Sequence, residues 1–240
     1  MSRPSPQGGL YPEPIFRPAG DRGMLMELGT GIDPEINQKI RGLSLVLERT
    51  RLQGVVEIIP GYRSLAVIYD PLQTKPETLR QALLALYDEL EHTALPEARV
   101  VELPVCYGGE FGEDLARVAA HNRLSPAEVV AIHSAPLYPV YMIGFTPGFP
   151  YLGGLSEKIH TPRLATPRTL VPAGSVGIAN SQTGIYPIAS PGGWQLIGRC
   201  PCPLFDPGHD RPFLLKAGDL LRFSPISRDE YLRLRGEQRK

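Results

Sequence analysis

Apolar residues recur at helical spacing in two stretches of the first hundred residues. The first stretch follows Asp33-Pro34, an N-cap residue with proline at the first helical position. Its apolar stripe consists of Ile36, Ile40, Leu43 and Leu47, and a second stripe consists of Leu79, Leu83, Leu86 and Leu90. These patterns predict two amphipathic helices, each with one buried face.

Strand-like segments surround the two predicted helices. Strand candidates occur at Met24–Leu28, Val55–Ile59, Leu65–Tyr69 and Arg99–Val105. The middle two are rich in β-branched residues, and Pro60-Gly61 predicts a hairpin between them. The order β-α-β-β-α-β is that of a ferredoxin-like sandwich. We therefore predict an α+β ferredoxin-like domain over residues 21–98, preceded by a flexible proline-rich tail at residues 1–20.

The pattern changes in the second half of the chain. Helices are predicted at Glu113–Asn122 and from Ser125, where Ser125 and Glu128 have the spacing of a capping box. Short apolar segments, interrupted by proline and glycine, then follow one another: Val140–Phe145, Thr169–Val171, Val176–Ala179, Ile185–Ile188, Gln195–Ile197, Phe213–Leu215 and Leu220–Phe223. This pattern predicts a mainly-β barrel or sandwich domain over residues 99–240.

Composition excludes several classes of protein. Lys plus Arg and Asp plus Glu both number 25, and this zero net charge argues against a nucleic-acid partner. The three cysteines are too few for a disulfide framework and lack zinc-site spacing, so we expect reduced thiols. No signal peptide is visible, and every long uncharged run is broken by proline and glycine. We expect a soluble cytoplasmic protein without a membrane partner.

Common catalytic motifs are absent. The chain contains no Gly-Lys dipeptide, which excludes a standard phosphate loop. Ala173 occupies the place of the first glycine that a GxSxG nucleophile elbow requires. The five histidines show no metal-ligand spacing, so we predict no metal site.

Two Pro-Arg dipeptides, at Arg163 and Arg168, are the first candidate functional feature. Guanidinium groups bind carboxylate or phosphate in a bidentate manner, and a preceding proline limits the backbone entropy lost in positioning them. We predict that both form an anion clamp; the alternative is pairing with structural carboxylates. His133, at the end of a predicted helix, is a candidate proton carrier or an ordinary helix-end histidine.

Turn-rich aromatic segments supply the remaining candidates. Ser175 lies among small residues, where a ligand can approach the backbone closely, and Gln182 is a candidate orienting group. Trp194 follows a glycine turn and is either a pocket wall or core. The predicted substrate-binding residues are Tyr151, Ser175, Gln182, Tyr186 and Trp194. Together with the arginines they suggest an anion-binding pocket for a small molecule or a docking groove.

Several long motifs resemble those of the 5-oxoprolinase B-subunit family, which includes the kinase inhibitor KipI and allophanate hydrolase subunit 1. They are GFTPGFPYL at 144–152, the two Pro-Arg pairs, VPAGSVGI at 171–178, QTGIYP at 182–187 and SPGGWQLIG at 190–198. Two positions depart from the family pattern: Asn180-Ser181 replaces Gly-Gly, and Cys200 replaces threonine.

The resemblance implies a ferredoxin-like domain followed by a cyclophilin-like β-barrel. It also implies ATP-dependent cleavage of 5-oxo-L-proline to L-glutamate, and its partners are the two other 5-oxoprolinase subunits, types A and C, of which type C is carboxylase-like. ATP, with Mg²⁺, is the expected cosubstrate, at a site shared with the partner. The alternatives are a protein-binding inhibitor of a sensor histidine kinase and a subunit of a urea or allophanate pathway.

Overall fold

The computed structural model describes residues 9–92 and 95–237. The chain divides into two compact units, Met1–Glu97 and Ala98–Lys240. The strands of the first unit are β1 (Leu10–Pro18), β2 (Gly23–Gly29), β3 (Val55–Pro60) and β4 (Ser64–Tyr69), and its helices are α1 (Pro34–Thr50) and α2 (Pro76–Asp88). The four strands form an antiparallel sheet in the order β1-β2-β4-β3.

Local signals in the first unit are confirmed by the structure. The carboxylate of Asp33 accepts the backbone N–H groups of Glu35 and Ile36 at 2.8 and 3.3 Å, which caps α1. β3 and β4 are antiparallel partners joined across the predicted turn at Pro60-Gly61. Both helix stripes contribute to one core with the apolar side chains of β2 and β4.

Two predictions for the first unit are wrong. Residues Leu10–Pro18 are not part of a tail but form an edge strand, with Phe16 opposite Met26; residues 1–8 lie outside the described part. An edge strand with an irregular register tolerates proline because some of its N–H groups have no partner strand. The segment predicted as the fourth strand, Arg99–Val105, belongs to the second unit, so the predicted β-α-β-β-α-β order fails there.

Seven strands of the second unit form one sheet. They are β5 (Val100–Tyr107), β6 (Tyr138–Ile143), β7 (Pro150–Leu152), β9 (Ser175–Ala179), β10 (Gln182–Ile185), β12 (Gln195–Arg199) and β13 (Leu220–Pro225). Their order in the sheet is β10-β9-β12-β5-β13-β6-β7. The edge strands β7 and β10 lie side by side, so the sheet curves into a nearly closed barrel. A separate ribbon consists of β8 (Arg168–Val171) and β11 (Ser190–Gly192).

Three helices accompany the barrel: α3 (Leu115–Asn122), α4 (Pro126–Ser134) and α5 (Arg228–Glu237). The capping box of α4 is confirmed, since Ser125 and Glu128 each accept a hydrogen bond from the other's backbone N–H. The sequence did not predict α5. Within the described residues, no helix has the length and apolar character needed to cross a bilayer.

Two predicted strands of the barrel are placed wrongly. The strand predicted at Ile185–Ile188 is β10, which lies earlier in the chain and ends at Ile185. It begins at Gln182, directly after the two-residue hairpin loop Asn180-Ser181 that joins it to β9. Asn180 has φ +53°, a conformation that such loops require. At Phe213–Leu215 there is only an isolated bridge from Phe213 to Phe205.

Candidate functional site

Loops at one side of the barrel enclose a cavity of about 200 Å³. The β6–β7 connection and β7 contribute three aromatic residues, and the segment before β8 contributes Arg163. The remaining lining comes from the residue after β10 and from β11 with the turn that follows it. The lining residues are Phe145, Phe149, Tyr151, Arg163, Tyr186, Pro191, Gly192, Gly193 and Trp194.

Phe149 lies at the centre of the aromatic wall. Its ring packs edge-to-face against Phe145, Tyr151, Tyr186 and Trp194, with centroid distances of 5.6, 5.3, 5.6 and 5.6 Å. Edge-to-face pairs contribute about 0.5–1.5 kcal/mol each beyond their area of burial, and they fix the relative orientation of the rings. The five rings of the wall therefore support one another through Phe149.

Phe145 occupies a strained backbone conformation. Its φ is +62°, and the N–H of Thr146 donates to the carbonyl of Gly144 at 2.7 Å, which closes a γ-turn around it. A left-handed conformation costs a residue with a Cβ about 1–2 kcal/mol. The side chain is nevertheless 67 % exposed, so core packing does not explain the strain. Such strain is typical of binding sites, where the surrounding structure holds a side chain in place.

The phenol of Tyr186 is buried beside Gly192. Burial raises the pKa of Tyr186, against the opposing effects of the Trp194 backbone and the two arginines. The phenol is therefore protonated at neutral pH and retains a proton to donate. A Cβ on residue 192 would overlap the hydroxyl of Tyr186, so Gly192 is the residue that fits.

Arg163 is the cation of the cavity. Its guanidinium lies 6.0 Å from the centre of the Trp194 ring, within cation–π range. The backbone on both sides is anchored: Gln195 donates to the carbonyl of Pro162 at 2.8 Å, and Leu164 donates to that of Gly193 at 2.7 Å. No carboxylate of residues 9–92 or 95–237 forms an ion pair with Arg163. The exposed side chain is thus available to an anion.

Arg168 does not line this cavity. Its Nη2 donates to both carboxylate oxygens of Asp114 at 2.9 and 2.8 Å, and its Nε lies 2.9 Å from Glu113. Its Nη1 donates to the carbonyl of Trp194 at 3.2 Å. Of the two roles open from the sequence, the structure shows pairing with structural carboxylates, and Arg168 acts on the cavity by holding the backbone of Trp194.

His133 is fully buried and also lies outside the cavity lining. Thr183 donates to the carbonyl of Gly177, so it accepts from Nε2 of His133 at 2.8 Å, and Tyr107 donates to Nδ1 at 2.8 Å. Burial lowers the pKa of His133 to about 3, so the imidazole is neutral. This arrangement is that of a core histidine with both nitrogens satisfied.

Some of the predicted site residues line the cavity and others do not. Tyr151, Arg163, Tyr186 and Trp194 come together in the cavity. Ser175 is fully buried in β9 and Gln182 opens β10, and neither lines it. Phe145 and Phe149 were missed as site residues, although their motif signalled a rigid aromatic turn. The described residues contain no group of three metal-binding side chains.

The chain belongs to a family of carboxyltransferase domains. The sequence pattern of the family "Carboxyltransferase domain, subdomain C and D" matches residues 14–215, which include every residue of the cavity lining. A crystal structure of TTHA0988 superposes with a TM-score of 0.76 at 40% identity, covering 86% of this chain and 40% of that one. This chain therefore spans less than half of that protein.

This chain covers most of the length of several curated relatives. The 5-oxoprolinase B-subunit of Bacillus subtilis is 43% identical over 88% of this chain and 92% of its own. The B-subunits of Escherichia coli and Haemophilus influenzae are 47% and 52% identical, over 86% and 71% of this chain and 93% and 79% of theirs. The chain belongs to the 5-oxoprolinase B-subunit family. The urea amidolyase of Saccharomyces cerevisiae is 24% identical over 92% of this chain but only 14% of that protein.

Proposed function

We propose that this chain is a subunit of an ATP-dependent 5-oxoprolinase, which opens 5-oxo-L-proline to L-glutamate together with the A- and C-subunits. Three relatives named as B-subunits of 5-oxoprolinase, with 43–52% identity over most of their length, support this assignment. On this proposal the chain is inactive alone, since the name of these relatives describes one component of a larger enzyme.

The observation that carries the proposal is that Arg163, which has no carboxylate partner among the described residues, lies at a small aromatic cavity. The substrate is a compact cyclic amide with one carboxylate. A cavity of about 200 Å³ is below the range of about 300–1,000 Å³ that is usual for drug-sized ligands, so it suits a compact molecule. Arg163 supplies the positive charge that the substrate carboxylate requires in a bidentate geometry.

Tyr186 supplies the second polar contact in this proposal. Its protonated hydroxyl donates to the lactam carbonyl oxygen, where negative charge develops when the amide is attacked. The aromatic wall shields one side of the cavity from water, which strengthens both interactions by lowering the local dielectric. Binding and orientation of the lactam are thus the tasks that the residues of this chain perform.

The nucleotide is assigned to a shared site. ATP with Mg²⁺ would activate the lactam by phosphoryl transfer, but the cavity is too small to contain a nucleotide beside the lactam. The site is therefore proposed to be completed by the carboxylase-like C-subunit. A reaction that consumes ATP belongs in the cytoplasm, and three free cysteines fit such a reducing compartment.

The same proposal covers the finer description of the fold. The nearly closed seven-stranded sheet is assigned as a cyclophilin-like barrel. The predicted ferredoxin-like sheet needs a fourth strand, but β5, the strand that follows α2, belongs to the barrel sheet. On a ferredoxin-like assignment, β1 takes that fourth position at the edge of the first sheet.

The proposal is tested by reconstitution. Purified chain, the A- and C-subunits, 5-oxo-L-proline and ATP are combined, and glutamate release is measured for each component and for the full mixture. Turnover only in the full mixture is expected. Absence of turnover with folded partners would overturn the proposal, and inhibition of a sensor kinase would then favour the KipI-like alternative.

Arg163→Ala provides the residue-level test. Losing one charge-assisted contact should raise the KM for 5-oxo-L-proline about tenfold to a hundredfold. Arg222→Ala is the matched control, because Arg222 is exposed on β13 and pairs with Glu102 outside the cavity. An unchanged KM in Arg163→Ala, or turnover of urea, which has no carboxylate for Arg163 to bind, would contradict the assignment.

A further inference from the structure

A second cavity, of about 350 Å³, lies in the barrel unit and shares no residue with the first. It is formed by the turn after β5, the end of β12 and one face of α5. Its lining residues are Glu110, Phe111, Arg199, Tyr231, Leu232, Arg235 and Gly236. Neither the motifs nor the proposed lactam chemistry makes use of it.

Arg199 has unused hydrogen-bonding capacity. Its guanidinium lies 5.7 Å from the centre of the Phe111 ring, and no carboxylate of residues 9–92 or 95–237 forms an ion pair with it. Its Nε is buried and has no hydrogen-bond partner within residues 9–92 and 95–237. Buried polar atoms of native proteins are nearly always satisfied, so the donor capacity of Arg199 is not filled by the described residues.

Two further donors line the same cavity on α5. Nη1 of Arg235 donates to the hydroxyl of Tyr231 at 2.8 Å, which leaves the other N–H groups of Arg235 free of carboxylate partners in the described chain. The hydroxyl of Tyr231 thus accepts a bond, but its own proton has no acceptor among the described residues. Tyr231 is only 1 % exposed, so bulk water is a poor substitute.

The charge at the cavity is positive. Glu110 is the one acidic residue of the lining, and it is paired with Arg228 at 2.9 Å. The last turn of α5 contributes a partial charge of about −0.5. The two full positive charges of Arg199 and Arg235 outweigh it.

We propose that this cavity binds a phosphate group, either as free phosphate or as part of a nucleotide. Three donor side chains, from Arg199, Tyr231 and Arg235, suit an anion with several acceptor oxygens better than a carboxylate with two. Leu232, 46 % exposed at the lining, offers apolar surface to the organic part of a ligand. The inference does not depend on which substrate the first cavity binds.

Calorimetric titration of the full chain with inorganic phosphate and with ATP, at an ionic strength matched with sodium chloride, tests this site. Both are expected to bind, and Arg199→Gln and Tyr231→Phe are expected to weaken binding about tenfold or more. Tighter binding of ATP than of phosphate would identify a nucleotide as the natural ligand. Equal affinities would identify free phosphate.

Arg233→Gln is the matched control, because it removes one positive charge from the same helix. Arg233 pairs with Glu230 and Glu237 and does not line the cavity. Equal weakening in Arg233→Gln would show a general charge effect and overturn the proposal, as would absence of binding to the wild-type chain. Binding that is lost in Arg163→Ala but kept in Arg199→Gln would place the anion in the first cavity and also overturn it.

Discussion

The carboxylate of Asp114 accepts two hydrogen bonds from the guanidinium of Arg168, at 2.9 and 2.8 Å. The same carboxylate accepts the backbone N–H of Leu196 at 2.6 Å, and Arg168 donates to the carbonyl of Trp194. The pair therefore ties the start of α3 to the backbone on both sides of residue 195. It stabilises the aromatic wall of the cavity, although neither Asp114 nor Arg168 lines that cavity.

Asp114→Ala should lower the free energy of unfolding by about 3 kcal/mol. The substitution removes the buried carboxylate partner of Arg168 and leaves the buried N–H of Leu196 without its acceptor. Breaking one side of a buried pair costs about 3–5 kcal/mol, and the lower end applies because Arg168 keeps its contacts with Glu113 and the carbonyl of Trp194. Urea denaturation measures the change. Glu102→Ala removes an exposed carboxylate paired with Arg222 and should cost less than about 1 kcal/mol. Equal losses in the two variants would contradict the structural role of Asp114.

Gly192→Ala should disrupt the cavity, whereas Gly193→Ala should not. A Cβ at 192 would overlap the Tyr186 hydroxyl, which sits on a rigid ring, while one at 193 would meet Pro167 at an ordinary 3.6 Å. We expect Gly192→Ala to cost about 1–3 kcal/mol of stability, the range for overpacking, and to weaken lactam binding. The fluorescence of Trp194, the single tryptophan, reports the displacement. Identical behaviour of the two variants would be incompatible with the observed packing.

Phe145→Gly should be more stable than Phe145→Ala by about 1 kcal/mol. Both variants remove the exposed ring, but only glycine adopts a φ of +62° without steric cost. Thermal unfolding of the two proteins measures the difference. Both should raise the KM for 5-oxo-L-proline, since both delete part of the cavity lining. A more stable alanine variant would rule out strain at this residue.

Stability should fall on acidification because of His133. Its pKa is about 3 in the folded chain and about 6.5 when unfolded, so the unfolded state binds the extra proton between these values. The contribution of His133 to stability is therefore complete above pH 6.5 and is lost as the pH falls towards 3. The loss approaches about 1.4 kcal/mol per pH unit.

His133→Gln isolates this contribution, since glutamine is polar but does not titrate. The difference in free energy of unfolding between wild type and variant should be constant above pH 7 and shrink between pH 6.5 and 5. A difference that stays the same at pH 5 and pH 7.5 would mean that His133 is not buried in its neutral form.

Periodicity predicted the elements of this fold better than their assembly. The apolar stripes located α1 and α2, and the alternation of short segments located most barrel strands. Which sheet a strand joins was not predictable, because the same apolar pattern suits either sheet. β5 thus entered the barrel between β12 and β13, and β1 took the edge position in the first unit.

The candidate site was also only partly predictable from the sequence. The sequence alone marked a rigid aromatic turn, two arginines and a glycine-rich segment, because proline and glycine restrict the backbone wherever they occur. It could not separate Arg163 from Arg168, since the two dipeptides are alike. The difference is a carboxylate 54 residues away from Arg168 in the chain, which only folding brings within 2.8 Å. The sequence by itself determined which types of side chain the site region contains. Long-range packing decided which arginine is paired with a carboxylate and which is available to a ligand.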